Sequence, residues 1–178
     1  MRFSDFVPGR LGAGIALLAA VAASAAGPVA AQTQAPPSEK HGDWALTCRV
    51  PAKDSPERCV LAQNIVFKQS SKRVLNISVT RPAPESPYIA IVTAPLGILL
   101  QAGLVLQVDE KELVRFPLQI CNVNGCQGQF PVSDEVRATM AGGKAGKVLI
   151  RQPNGRALGI EFSLNGFGTG MTALVAKK

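Results

Sequence analysis

Ile120-Cys121-Asn122-Val123-Asn124-Gly125-Cys126 decides how the rest of the chain reads. Two cysteines bracket four residues that end in Asn124-Gly125. Asn-Gly accepts positive φ at low cost and so joins strands through tight turns. Such a turn brings its flanking residues within reach of a disulfide. The segment therefore reads as a stapled hairpin, and the apolar run before it, Pro95 to Leu118, as the sheet that feeds it.

Working outward, the same alternation recurs. Trp44, Leu46 and Cys48 alternate with Ala45 and Thr47, and Arg58 to Phe67 reads as the next strand after a loop from Val50 to Glu57. Leu75, Ile77 and Val79 alternate with Asn76, Ser78 and Thr80, the clearest period of two in the chain. Tyr88 to Thr93 follows the Pro-rich loop Arg81 to Pro87. Leu104, Leu106 and Val108 resume the alternation, Asp109-Glu110-Lys111 turns, and Glu112 to Ile120 returns. Pro117 implies an edge or a bulge in that returning strand. A short strand after Cys126, then Lys147 to Arg151 and Leu158 to Leu164, complete the set. Ser133 to Met140 carries helix signals: a capping serine, acids in the first turn, and Gly142-Gly143 to stop it. Gly166 to Lys178 is a weakly helical tail. The sum predicts an all-β, mainly antiparallel domain, a β-sandwich or partly closed barrel with one or two short helices.

The chain has 178 residues, the size of one domain. Its start reads differently from the rest. Arg2 and Arg10 precede an apolar, small-residue run from Leu11 to Ala26, and Val29-Ala30-Ala31 fits a signal-peptidase site. Ala23-Ser24-Ala25 is a competing site. The alternative, a retained anchor, needs about 20 apolar residues, and this run falls short. Residues 1–31 are therefore expected to be a signal peptide, 32–41 a flexible polar tether, and 42–178 the β-domain. No later stretch reaches transmembrane length.

Export gives the four cysteines, Cys48, Cys59, Cys121 and Cys126, a reading as disulfides. Three connectivities exist, and the local one, Cys48–Cys59 with Cys121–Cys126, is the most economical. Each bridge would close a short loop, worth roughly 2–3 kcal/mol. A zinc site is disfavoured by the spacing, and His41 is the sole imidazole. Cys121-x4-Cys126 is not a C-x-x-C redox motif.

The formal charge is +7. Losing residues 1–31, with Arg2, Arg10 and Asp5, lowers it to +6. That balance favours anionic surroundings such as membrane surfaces or acidic polysaccharide. A specific nucleic-acid partner is not expected, because the basic residues are scattered and aromatics make up 5% of the chain. Lys68, Lys72 and Arg73 cluster near a turn and Arg81 ends the next strand, so these four are the candidates for a polyanion contact.

No catalytic constellation stands out. His41 sits beside the tether and reads as an exposed terminal histidine. The acids mostly occupy turns and helix starts; Asp109, Glu110 and Glu112 would suit a cation site or a merely solvated hairpin tip. A carboxylate pair for glycoside cleavage stays open as an alternative, because such pairing is spatial. The Pro95–Leu106 run, the most apolar of the mature chain, is expected to be core rather than an exposed contact ridge.

The placed residues resemble the invasion-associated locus B (IalB) family of exported bacterial proteins. The resemblance rests on Gly42-Asp43-Trp44 with Cys48, Cys59-Val60-Leu61 with Gln63, and Pro95-Leu96-Gly97 with Leu99. It continues through Gly103 with Leu104, Leu106, Val108 and Asp109, then Cys121, Gly125-Cys126, and Leu164 with Gly166-Phe167. It spans nearly the whole mature chain. It implies a periplasmic or secreted envelope protein of Gram-negative bacteria, mainly alphaproteobacteria, with a family name drawn from host-cell invasion. It implies no agreed enzymatic activity, no catalytic residues and no cofactor. Glu110 stands after Asp109 where the resemblance leads one to expect glycine, which argues against a positive-φ turn and for a longer loop through Lys111. The expected role is non-enzymatic binding to an envelope or host-surface component; the alternatives are an envelope hydrolase using carboxylates and a polyanion-binding module.

Overall fold

A computed structural model describes residues 37–69 and 72–177. The expected signal peptide, residues 1–31, and the tether up to residue 36 lie outside the described residues. In chain order the strands are β1 (Ser38–His41), β2 (Trp44–Arg49), β3 (Arg58–Val66), β4 (Arg73–Thr80) and β5 (Ile89–Ala94). A 3-10 turn (Leu100–Ala102) leads to β6 (Leu104–Val108), β7 (Lys111–Phe116), β8 (Leu118–Asn122) and β9 (Gly125–Pro131). Helix α1 (Asp134–Gly142), β10 (Ala145–Arg151), β11 (Ala157–Ser163) and α2 (Phe167–Ala176) follow.

Two antiparallel sheets result. The large one has seven strands in the order β1-β2-β3-β4-β5-β9-β8, and the small one four in the order β11-β10-β6-β7. The alternation read from the sequence sorts the faces. Leu46, Leu61, Leu75, Ile77, Val79, Ala90 and Val92 point inward from the large sheet and share one core with Leu104, Leu106, Val148 and Ile150 of the small one. Val136 and Met140 of α1, with Phe167, Met171 and Leu174 of α2, close that core at its margin. The sandwich alternative is the one adopted; the sheets do not close into a barrel.

Helix α1 forms where its signals lie. Ser133 Oγ accepts from Val136 N at 3.2 Å, which satisfies one of the unpaired N–H groups of the first turn. Asp134 and Glu135 occupy that turn, and Gly143 caps the other end. Helix α2 is firmer than the weakly helical tail expected. Phe167, Gly170, Met171 and Leu174 are buried, the i, i+3, i+4, i+7 spacing of a core-facing stripe.

Several expectations are corrected. Ser38–His41, placed within the tether by sequence, pairs antiparallel with β2 from Ser38↔Thr47 to His41↔Trp44. It is an edge strand with mostly exposed residues, so it has no apolar alternation to signal it. Glu112–Ile120 is not one returning strand. The chain breaks at Pro117, with β7 in the small sheet and β8 in the large one. Proline has no N–H for the ladder, so the chain leaves one sheet there and enters the other. The Pro95–Leu118 run is thus not the sheet that feeds the hairpin; β9 lies between its hairpin partner β8 and β5. The run also divides: Leu104, Leu106 and Val108 are core, whereas Leu96 and Leu100 are about half exposed, at 55% and 49%. Asp109 and Glu110 have φ of 48° and 69°, and Val108 pairs with Lys111. The connection is a two-residue, positive-φ hairpin turn, not the longer loop argued from the missing glycine.

Candidate functional site

One part of the residues of the family resemblance, Gly42 to Trp44, Gln63 and Leu164 to Phe167, converges at one junction. Gly42 and Asp43 join β1 to β2, Gln63 lies in β3, and Ser163 to Gly166 link β11 to α2. Trp44, at 1% exposure, is in edge contact with Phe162 and Phe167, at centroid distances of 6.4 and 5.1 Å. Its indole N–H donates to Ser163 O at 3.0 Å. Gln63 is one of two buried polar side chains among the described residues. Its amide donates to Asp43 O at 3.2 Å and Ser163 O at 3.1 Å, and its Oε1 accepts from Ser163 N at 2.9 Å. Asp43 Oδ2 accepts from Ser163 Oγ at 2.6 Å. A buried amide with its hydrogen bonds met holds two segments in one arrangement, so this cluster clasps the large sheet to the end of the small one. Ser163 and Asn165 belong to it but carry no sequence signal; the alternation of Leu158 to Leu164 marks Ser163 only as an outward strand residue.

His41 is not the exposed terminal histidine expected. Its side chain is 14% exposed, and Nε2 lies 3.1 Å from Glu39 Oε1 without hydrogen-bond geometry. Pairing with Trp44 in the β1–β2 ladder draws it in.

The carboxylates go to separate partners. Asp109 accepts from Lys144 N and Ala145 N, both at 3.0 Å, tying the β6–β7 turn to the start of β10. Glu112 pairs with Arg115 at 2.9 Å. Glu110 pairs with Lys147 at 2.9 Å, and Glu161 approaches the same ammonium at 3.8 Å. The Lys147 pKa is raised, first by the hydrogen bond from its charged form to Glu110 and then by the charge of Glu110. Cys48, Glu57 and Cys59 lie within ligand distance of one another. Both sulfurs are bonded to each other, so they offer no thiolate to a metal.

The two disulfides are Cys48–Cys59 and Cys121–Cys126. Each joins directly paired residues of neighbouring strands. Such bridges fit an oxidising compartment outside the cytoplasm. No helix among the described residues is long and apolar enough to cross a membrane.

Of the four candidate polyanion residues, Lys68, Lys72 and Arg73 fall together at the exposed β3–β4 connection. Arg81 follows the other end of β4, roughly 25 Å away along the strand. Its guanidinium lies 5.4 Å from the ring centroid of Tyr88.

A surface without a sequence signature lies on the outer face of the large sheet. Residues opposite in parity to the core form cross-strand rows. One is Ala45-Ala62-Ser78-Ile91-Gln129, another Thr47-Val60-Thr80-Ile89, and a third Asn64-Asn76-Thr93-Gln127. These central side chains are uncharged, although the chain carries +7; Lys40, paired with Ala45, and Arg49, two residues beyond Thr47, put cations at the margin of the same face. Asn76 Nδ2 donates to Asn64 Oδ1 at 3.0 Å and Gln127 Nε2 to Thr93 Oγ1 at 3.4 Å, so the third row is an amide and hydroxyl ladder. Five strands at the usual spacing make this face roughly 20 Å across.

Comparison with known proteins bears on this geometry. The profile of a family described as invasion associated locus B (IalB) protein matches residues 44–175. The crystal structure of invasion associated protein B from Bartonella henselae is similar, with a TM-score of 0.69 and 24% sequence identity. That likeness covers 78% of this chain and 95% of the other, and it is a likeness of fold. Among curated proteins none matches.

Proposed function

The chain belongs to the invasion-associated locus B family, and from that premise we propose that it acts by binding, as an exported, non-catalytic component of the cell envelope or of a host-facing surface. The observation that carries this reading is the uncharged centre of the outer face of the large sheet, which Lys40 and Arg49 border. A surface of amide, hydroxyl and apolar side chains costs less to desolvate than one that carries charges. Disulfides at two corners of the same sheet support the reading, because a rigid face loses little entropy on binding.

The test is capture from envelope fractions after gentle crosslinking, comparing the unaltered chain with Ala62→Lys and Gln129→Lys. Both changes put a cation on the face without touching the core. The expected result is loss of the captured partner with an unchanged melting temperature. Capture that survives both changes would refute this surface.

One observation favours a second reading, a polyanion contact. Lys68, Lys72 and Arg73 lie at one exposed connection, and none is in an ion pair among the described residues. Retention on heparin that falls with salt, and falls further on changing these three residues to Ala, supports that contact; retention indifferent to the changes removes it.

A further inference from the structure

Arg81 has no part in the basic connection at Lys68, and the structure places it in a different setting. A cavity of about 100 Å³ opens between the start of β3, the loop after β4 and the end of α2. Its walls include Arg58, Arg81 and Lys177, with Glu57, Tyr88 and Pro84. None of the three cations is in an ion pair among the described residues. We propose that this cavity is a binding site for a phosphoryl group.

The charge and the size both point that way. Arg58, Arg81 and Lys177 against Glu57 leave two positive charges around the cavity, which matches the dianion of a phosphate monoester near neutral pH. Its volume accommodates several waters, so it admits a phosphoryl group.

The walls are pre-organised. The Arg81 guanidinium lies over the Tyr88 ring at 5.4 Å, a cation–π contact that restrains the fork that recognises phosphate by paired hydrogen bonds. Arg58 immediately precedes Cys59, which is held by the bridge to Cys48 and by Thr80 Oγ1, donating to Cys59 O at 2.9 Å. The loop that follows Arg81 is stiffened by Pro82 and Pro84. Arg81 therefore has less side-chain entropy to lose on binding.

The shared chemistry has two sources, a membrane phosphate headgroup or a free phosphate, and the experiment separates them. Inorganic phosphate is titrated calorimetrically into the full mature chain, and phosphatidic acid vesicles in phosphatidylcholine are sedimented with it. Arg81→Gln is expected to weaken phosphate binding at least tenfold, and Lys68→Ala to leave it unchanged. Binding is expected to strengthen between pH 5 and pH 8, as the phosphate dianion forms. Arg81-dependent binding to both probes supports the site with a lipid headgroup as source. Arg81-dependent binding to inorganic phosphate alone supports it with a soluble source. Absence of phosphate binding at millimolar concentration, or binding untouched by Arg81→Gln, overturns the proposal. Ala62→Lys lies outside the cavity and should not alter phosphate binding, so failure of the sheet-face reading and failure of this one are separately visible.

Discussion

At the level of single residues, Glu110 is the clearest conflict between local preference and the fold. It sits at the second position of a two-residue turn with φ of 69°, where glycine is favoured because it has no Cβ to meet the following carbonyl. Against this strain stands its ion pair with Lys147 at 2.9 Å. That pair is exposed, and exposed pairs contribute little. Glu110→Gly should therefore stabilise the chain by about 1 kcal/mol, read as a higher urea midpoint at constant slope. The gain should grow in alkali. The Lys147 pKa is raised by Glu110, so whatever the pair contributes is present below the unfolded-state lysine pKa. It is lost as pH rises through the folded one. The unaltered chain then loses the pair and keeps the strain. A lower midpoint for Glu110→Gly at neutral pH would mean that the ion pair outweighs the turn.

Among the elements, the junction of β1, β2 and α2 depends on two backbones meeting where no side chain fits. Gly166, with φ of 87°, caps α2, and a Cβ on it would fall onto the His41 carbonyl oxygen. Gly155 has nearly the same φ, 81°, but open space around it. Gly155→Ala should cost only the left-handed strain, about 1 kcal/mol. Gly166→Ala should cost that plus displacement of β1, about 3 kcal/mol together. Chemical denaturation of the two variants checks the difference, and equal losses would show that the close approach is not structural. The same junction explains what could be read beforehand. Trp44, Gln63, Gly166 and Phe167 were legible only through the family resemblance, which rests on them. What joins them was not, because hydrogen bonds from Gln63 to Asp43 O and Ser163 O use backbone atoms that every residue has. For the same reason β1 has no sequence signal: an exposed edge strand owes its place to backbone pairing with β2, not to an apolar period. The cavity around Arg81 was invisible too, since Arg58, Arg81 and Lys177 meet only through the tertiary fold.

For the whole molecule, the placement of the two disulfides is the informative feature. The local pairing was legible because each loop is short. Their positions in the sheet were not, because Pro117 hides the change of sheet before the second pair. Cys48–Cys59 joins β2 to β3 at the end of the sheet where Arg81 and Tyr88 lie. Cys126 pairs with Ala94, so the second bridge joins β8 to β9 at the opposite end and the opposite flank. The large sheet is thus fastened at diagonal corners, with β4 and β5 between them. The separations in sequence are 11 and 5 residues, for which the chain-entropy relation gives about 2.8 and 2.2 kcal/mol. Bridges this far apart share no partners, so their effects should add. Replacing Cys48 and Cys59 by Ser should cost slightly more than replacing Cys121 and Cys126, and removing all four should cost about 5 kcal/mol, measured by urea unfolding. The two paired variants should also differ in function. Loss of the first bridge frees the wall that holds Arg58 and should weaken phosphate binding, while loss of the second should leave it intact. A combined loss well below the sum would show that the unfolded chain keeps the two hairpins without their bridges. Phosphate binding lost equally in both variants would show that the cavity depends on the sheet as a whole and not on its nearer corner.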